Sequence, residues 1–173
     1  MKNIITALFA AAFVLPAVAE EKGFTSLFDG KTLKGWDGKK EFWSVQDGAI
    51  QGKTTKEIPT KGNTFIIWKG GTVAAFELKF EYRFLTKSGN SGCQYRSEDM
   101  GNNVVKGYQG DFEAGTRFSG INYGEKTGRG ILADRGTKTT LGDGKAKKKV
   151  DRFGDSAELQ KKLNGQGEWN AMH

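Results

Sequence analysis

Phe76-Glu77-Leu78-Lys79-Phe80-Glu81-Tyr82-Arg83-Phe84 alternates apolar and charged residues without a break. In an extended chain Phe76, Leu78, Phe80, Tyr82 and Phe84 share one side, and Glu77, Lys79, Glu81 and Arg83 the other. A helix would spread those aromatics around its circumference, so the period of two predicts a half-buried antiparallel strand. Composition agrees: 25 of 173 residues are Gly and only 2 are Pro. Each glycine inside a helix costs up to about 1 kcal/mol relative to alanine, which argues against a helical bundle. Hydrophobic residues make up 36% and aromatics 12%, enough for a core and too much for a disordered chain. The glycines follow no triplet period, which excludes collagen. A lone cysteine, Cys93, excludes an intrachain disulfide framework and a multi-thiolate zinc site.

Outward from this strand, further strands are expected at Phe42–Gln46, Ala49–Gly52, Thr64–Trp68, Gly92–Arg96, Gly107–Glu113 and Gly130–Ala133. Asp47-Gly48 is a hairpin signal, because a primed turn needs positive φ. Short strands separated by glycine-rich turns predict a two-sheet sandwich. Asp155-Ser156-Ala157-Glu158 reads as a capping box, with Asp155 as cap and Glu158 reaching back, opening a helix of two turns that ends at Asn164-Gly165. The stretch 138–152 carries Lys138, Lys145, Lys147, Lys148, Lys149 and Arg152 without interleaved aromatics, and reads as a solvated loop. Trp36, Trp43, Trp68 and Trp169 sit among apolar neighbours or at strand ends, as core residues do. Gly167–His173 looks like the start of another strand, and the sandwich is expected to continue beyond it.

The first nineteen residues read differently. Lys2 precedes an apolar run from Ile4 to Leu15, and Pro16-Ala17-Val18-Ala19 places small residues at a cleavage site. This is the pattern of a signal peptide, cut after Ala19, leaving one domain over residues 20–173. The run is too short to span a bilayer, so no stable membrane insertion is expected after cleavage. The protein is expected to be exported, periplasmic or extracellular. An exported chain meets little nucleic acid, so the net charge of +7 points to no nucleic-acid partner.

Chemistry is expected on two neighbouring strands. By alternation Cys93 and Tyr95 point one way, Gln94 and Arg96 the other; Tyr108 and Phe112 point one way, Gln109, Asp111 and Glu113 the other. Packing through the apolar faces would assemble Gln94, Arg96, Gln109, Asp111 and Glu113 on one exposed surface. One guanidinium, two amides and two carboxylates suit a polyol or sugar; an ordinary solvated sheet face gives the same pattern. Cys93 falls on the inward side, as a structural thiol does. No Ser/His/Asp ordering, phosphate loop or metal-ligand spacing is evident. No cofactor is required, although Asp111 and Glu113 could ligate a divalent cation together with waters.

Phe24-Thr25-Ser26-Leu27-Phe28-Asp29-Gly30-Lys31-Thr32-Leu33-Lys34-Gly35-Trp36 resembles the opening of the 3-keto-disaccharide hydrolase, or 3-keto-glucoside lyase-hydratase, domain family, formerly a domain of unknown function. The likeness continues through Phe42-Trp43-Ser44-Val45-Gln46-Asp47-Gly48-Ala49-Ile50, the alternating stretch, Asn90-Ser91-Gly92, Tyr95-Arg96, Gly107-Tyr108-Gln109 and Glu168-Trp169-Asn170. It covers nearly all of the chain after residue 20, in order. The resemblance implies a concanavalin A-like jelly-roll sandwich, export, and a glycan or keto-sugar substrate. It also implies that the Trp-Asn motif leads into closing strands. Family members commonly carry Glu after the Tyr and Gln two positions later, whereas Gln109 and Asp111 stand here.

The implied chemistry starts from a ketone at C3, which acidifies the hydrogen on C2. A base removes it, the C1 substituent leaves by β-elimination, and water adds across the resulting 2-hydroxy-3-keto-glucal. The residues expected to carry this are Asp111 as base, Glu113 as its partner or substitute and Arg96 at the enolate oxygen. Gln94, Gln109 and Arg129 are expected to bind hydroxyls. The alternative is a non-catalytic, lectin-like carbohydrate-binding module on the same sandwich.

Overall fold

The computed structural model describes residues 22–143 and 147–173. The expected leader, residues 1–19, and Lys145 lie outside the described residues. Among the described residues the fold is all-β with one short helix. In chain order the strands are β1 (Trp36–Asp37), β2 (Trp43–Gln46), β3 (Ala49–Gly52), β4 (Ile67–Trp68), β5 (Phe80–Tyr82), β6 (Asn90–Asp99) and β7 (Val105–Glu113). They continue with β8 (Asn122–Glu125), β9 (Gly130–Ala133), β10 (Thr137–Leu141), β11 (Lys147–Arg152), helix α1 (Ser156–Gln160) and β12 (Asn170–Met172). The main sheet has the order β6-β7-β8-β9, all antiparallel. Smaller antiparallel pairs are β1 with β4, β2 with β3, β5 with β12 and β10 with β11.

The alternating stretch keeps its two sides but is hydrogen-bonded over only three residues. Leu78, Phe80 and Tyr82 are half-buried, whereas Glu77, Lys79 and Glu81 are exposed. Strand β12 supplies three partners, Met172, Ala171 and Asn170, opposite Phe80, Glu81 and Tyr82, and this limits the ladder. Phe76 is 44% exposed, outside the packed part. Tyr82 stacks on Phe112 of β7 at 4.3 Å between ring centroids, and Phe80 and Phe84 tilt against the same ring at 5.9 and 6.2 Å. The β5–β12 pair therefore forms a second layer over the face of the main sheet that carries Phe112, the arrangement of a β-sandwich. Among the described residues the buried apolar side chains are those of Phe42, Val105, Ile121 and Leu132.

Ala49–Gly52 and Gly130–Ala133 form strands over the expected residues, and Asp47 and Gly48 take positive φ in the turn between β2 and β3. Strand β8 was not anticipated, because Asn-Tyr-Gly-Glu shows no apolar alternation. The stretch 138–152 is a correction of the expected loop: β10 and β11 pair antiparallel through it. The loop reading rested on charge, and lysines on the solvent side of a ladder give the same composition.

The opening motif is a turn around Asp29. Its Oδ1 accepts the N–H groups of Lys31 and Thr32 at 2.8 and 2.6 Å, and its Oδ2 accepts the Thr32 hydroxyl at 2.6 Å. These donors, the Thr32 hydroxyl first, lower the Asp29 pKa to about 2. The Trp36 indole N–H then donates to Leu27 O at 2.8 Å, closing the segment on itself. Trp36, Trp43 and Trp68 are half-buried as expected, but Trp169 is 38% exposed, with the Arg83 guanidinium 4.6 Å from its ring centroid.

Helix α1 is shorter than the two turns expected. Asp155 caps it, Oδ1 accepting from Ala157 N at 2.9 Å and Glu158 N at 3.0 Å. Glu158 does not complete a capping box; it pairs with Lys161 at 2.6 Å. Asp155→Ala is expected to lose about 1 kcal/mol of stability, because those two N–H groups lose their acceptor, and a denaturant melt reads the difference.

Candidate active site

Register puts the expected polar residues on one face of the main sheet. Gln94 lies opposite Gln109, Gly92 opposite Asp111 and Asn90 opposite Glu113. Gly107 lies opposite Glu125 and Gln109 opposite Tyr123. Residues directly opposite in an antiparallel ladder share a face, so Gln94, Gln109, Asp111, Glu113 and Glu125 stand on the side away from Phe112.

That face is not exposed, which corrects the expectation from alternation. Gln109 and Asp111 are each 6% exposed, and Glu125 is 7% exposed. Buried polar groups require partners, and these have them. The Ser97 hydroxyl donates to Gln94 Oε1 at 2.9 Å, and Gln94 Nε2 donates to Gln109 Oε1 at 2.6 Å. Gln109 Nε2 donates in turn to Asp111 Oδ1. The chain of donors runs one way and terminates on the carboxylate. Asn63 Nδ2 donates to Glu125 Oε2 at 3.0 Å, bringing the segment before β4 onto the same face.

Burial pushes the Asp111 carboxyl above its ordinary value. The Gln109 donor opposes this, the negative charges of Glu113 and Glu125 add to the rise, and an Asn90 hydrogen bond opposes it again. Desolvation dominates because it penalises only the charged form. A carboxylate raised toward neutrality and held by an amide donor is suited to accepting a proton.

The other expected residues fare differently. Glu113 anchors the following loop, its Oε1 accepting Arg117 N at 2.5 Å and Phe118 N at 2.6 Å, while its own N–H donates to Ser119 Oγ at 2.9 Å. Arg96 sits at a bulge between Tyr95 and Glu98, with φ of 47°. Its guanidinium is exposed and donates to Ala74 O at 3.4 Å. The extra residue shifts the alternation, so Ser97 rather than Arg96 follows Gln94 on the polar face. Gly107 makes room for it: a Cβ there would stand 2.6 Å from Ser97 Cα. Arg129 donates to Gly142 O at 2.6 Å, away from the amide chain. Cys93, opposite Gly110, has its thiol pushed up by burial, as a structural thiol has.

Asn63, Asn90, Ser97 and Glu125 were not singled out from sequence. Glu125 lies in the strand that lacks alternation, and its only sequence mark is a place between the turn glycines Gly120 and Gly128. Ser97 becomes legible only through the bulge. Among the described residues no group of three His, Cys, Asp or Glu side chains comes together to hold a metal ion, and no helix is long and apolar enough to cross a membrane.

Gly92 is the floor under this arrangement. A Cβ there would lie 2.5 to 2.7 Å from Gln109 Cγ, Cδ and Nε2. Gly92→Ala must therefore displace the amide that donates to Asp111, and turnover in the activity proposed below is expected to fall about tenfold to a hundredfold. Steady-state kinetics beside a thermal melt separates this loss from unfolding.

No curated protein and no solved structure matches the chain. The sequence profile of the 3-keto-alpha-glucoside-1,2-lyase-like domain matches residues 23–173, the whole of the sandwich and its polar face. The chain belongs to the 3-keto-alpha-glucoside-1,2-lyase-like domain family.

Proposed function

We propose that the protein is an exported enzyme that cleaves 3-keto-glycosides by β-elimination followed by hydration, with Asp111 as the base. The observation that carries the reading is the one-way chain Ser97–Gln94–Gln109 ending on a buried carboxylate of raised pKa. Asp111 takes the C2 proton, the electron pair passes through the C2–C3 bond to the ketone oxygen, and the C1–O bond breaks as the enolate collapses. Water then adds at C1 while a proton returns to C2. A proton must also reach the leaving group, and Glu125 is the second carboxyl on this face with an oxygen not taken by Asn63. Glu113 is assigned to holding the 114–118 loop instead, since both backbone donors converge on it.

The test is release of nitrophenolate from a 4-nitrophenyl 3-keto-glucoside by the full chain. Turnover supports the reading; no turnover together with retained binding of unmodified glycans overturns it in favour of a lectin-like module.

The pH profile should carry the signature of Asp111. The acid limb of kcat/KM is expected above the ordinary aspartate value of 3.8, because the base is competent only when deprotonated and burial raises its pKa. The charge of Glu125 contributes to that rise, so Glu125→Gln should move the limb toward lower pH as well as reducing kcat. A limb that stays in place would separate Glu125 from Asp111.

A further inference from the structure

We propose that Tyr123 is the aromatic platform on which the pyranose ring of the substrate lies, and the residue that selects the configuration at C4. The role rests on the catalytic reading above and adds its specificity. The row across the main sheet through Tyr123 reads Gln94, Gln109, Tyr123 and Ile131, one residue from each strand. Residues opposite one another share a face, so the phenol ring stands beside the amide chain, with an aliphatic side chain on its far side. Tyr95, Tyr108 and Phe112, the other aromatics of these four strands, belong to the opposite face.

The ring also stands between the two carboxyls of the proposed reaction. Asp111 follows Gln109 by two residues on β7 and is a diagonal neighbour of Tyr123; Glu125 follows Tyr123 by two residues on β8. Diagonal neighbours lie about 7 to 8 Å apart, within reach of an aromatic side chain. Tyr123 is half-buried, and no hydrogen bond or aromatic contact among the described residues engages its side chain. A flat apolar surface is thus set among amides and carboxylates. A pyranose needs that pairing, C–H groups against a ring and hydroxyls toward polar side chains.

The chemistry decides which side of the sugar meets the ring. Asp111 removes the C2 hydrogen, so that hydrogen points at the sheet. In a glucopyranose chair the C2 and C4 hydrogens are both axial on the same side, so the C4 hydrogen points at the sheet too. With the gluco configuration a C–H meets the Tyr123 ring, and the equatorial C4 hydroxyl leaves sideways. The galacto epimer puts an axial hydroxyl in place of that hydrogen and presses it against the ring without a partner.

The experiment compares kcat/KM of the full chain on the 4-nitrophenyl 3-keto-glucoside and on its C4 epimer, the 3-keto-galactoside. The native chain should prefer the glucoside about tenfold to a hundredfold. Tyr123→Phe keeps the ring and should keep this ratio. Tyr123→Ala should bring the ratio to within about threefold of unity, mainly by raising KM for the glucoside. Tyr123→Leu, which keeps apolar bulk without the flat face, is read in the same way where the alanine variant fails to fold. A merely structural Tyr123 would lower turnover of both epimers together and leave the ratio in place. That result, or equal use of the two epimers by the native chain, overturns the assignment while nitrophenolate release still supports the catalytic reading. A native chain that turns over neither epimer overturns the catalytic reading and this assignment with it.

Discussion

Asp111→Asn is expected to lower kcat on a 3-keto-glucoside by about a hundredfold to ten-thousandfold, the range for loss of a general base. The same substitution should leave the protein folded. An Asn carbonyl oxygen can still accept from Gln109, and the desolvation penalty of a buried charge disappears. The linkage follows from the direction of the shift. Asp111 is raised above 3.8, so the native state binds its proton more tightly than the unfolded chain does. That stabilisation is present in full below the ordinary aspartate value and is lost as pH rises through the raised pKa. At neutral pH the charged carboxylate is therefore a burden, and Asp111→Asn should melt at or above the native temperature. Near pH 3 the two should converge. Thermal melts at both pH values, beside kinetics, read the trade directly; loss of activity accompanied by loss of folding would remove Asp111 from the mechanism.

The largest expected loss of stability is at Arg135. The residue is 9% exposed, and its guanidinium donates to Ser119 O at 2.9 Å, Thr116 O at 2.8 Å and Ser156 Oγ at 3.2 Å, as well as to Gln160 Oε1. Arg135 thus ties the loop after β7 to helix α1. It is the same loop that Glu113 holds from inside, so the clamp supports the polar face from behind. Arg135→Ala removes a buried cation, strands two carbonyl oxygens and leaves a void. A cost of about 3 to 5 kcal/mol is expected, since each orphaned acceptor costs about 1 to 3 kcal/mol and the void adds to it. A urea melt should show the midpoint falling with little change in slope. Arg135→Lys should recover only part, because a point donor cannot span four acceptors.

Much of this was legible in the sequence. The period of two from Phe76 to Phe84 identified the sides of β5, and the Asp47-Gly48 turn located β2 and β3. Alternation also brought Gln94, Gln109 and Asp111 to one face, because it depends only on the pleat and the register between β6 and β7. It failed at Arg96, where the bulge adds one residue and hands the position to Ser97. Burial was misjudged because polar composition was read as exposure, whereas here the amides and carboxylates satisfy one another beneath the surface. Glu125 and Asn63 reach the face through contacts 62 residues apart in sequence, and no local pattern encodes such a pair. The β10–β11 hairpin was hidden by its lysines, which mask strand propensity while protecting the ladder from other chains.

The most direct test of the account is the fate of the C2 hydrogen. The full chain is given a 3-keto-glucoside in D2O, and the 3-keto sugar released in the first minutes is examined by NMR and mass spectrometry. Elimination and hydration must return a solvent proton to C2, so the account predicts one deuterium at C2 for each C1 substituent released, with both lost in Asp111→Asn. Release that leaves hydrogen at C2 would mean direct displacement at C1, and would contradict the assignment of Asp111 as the base.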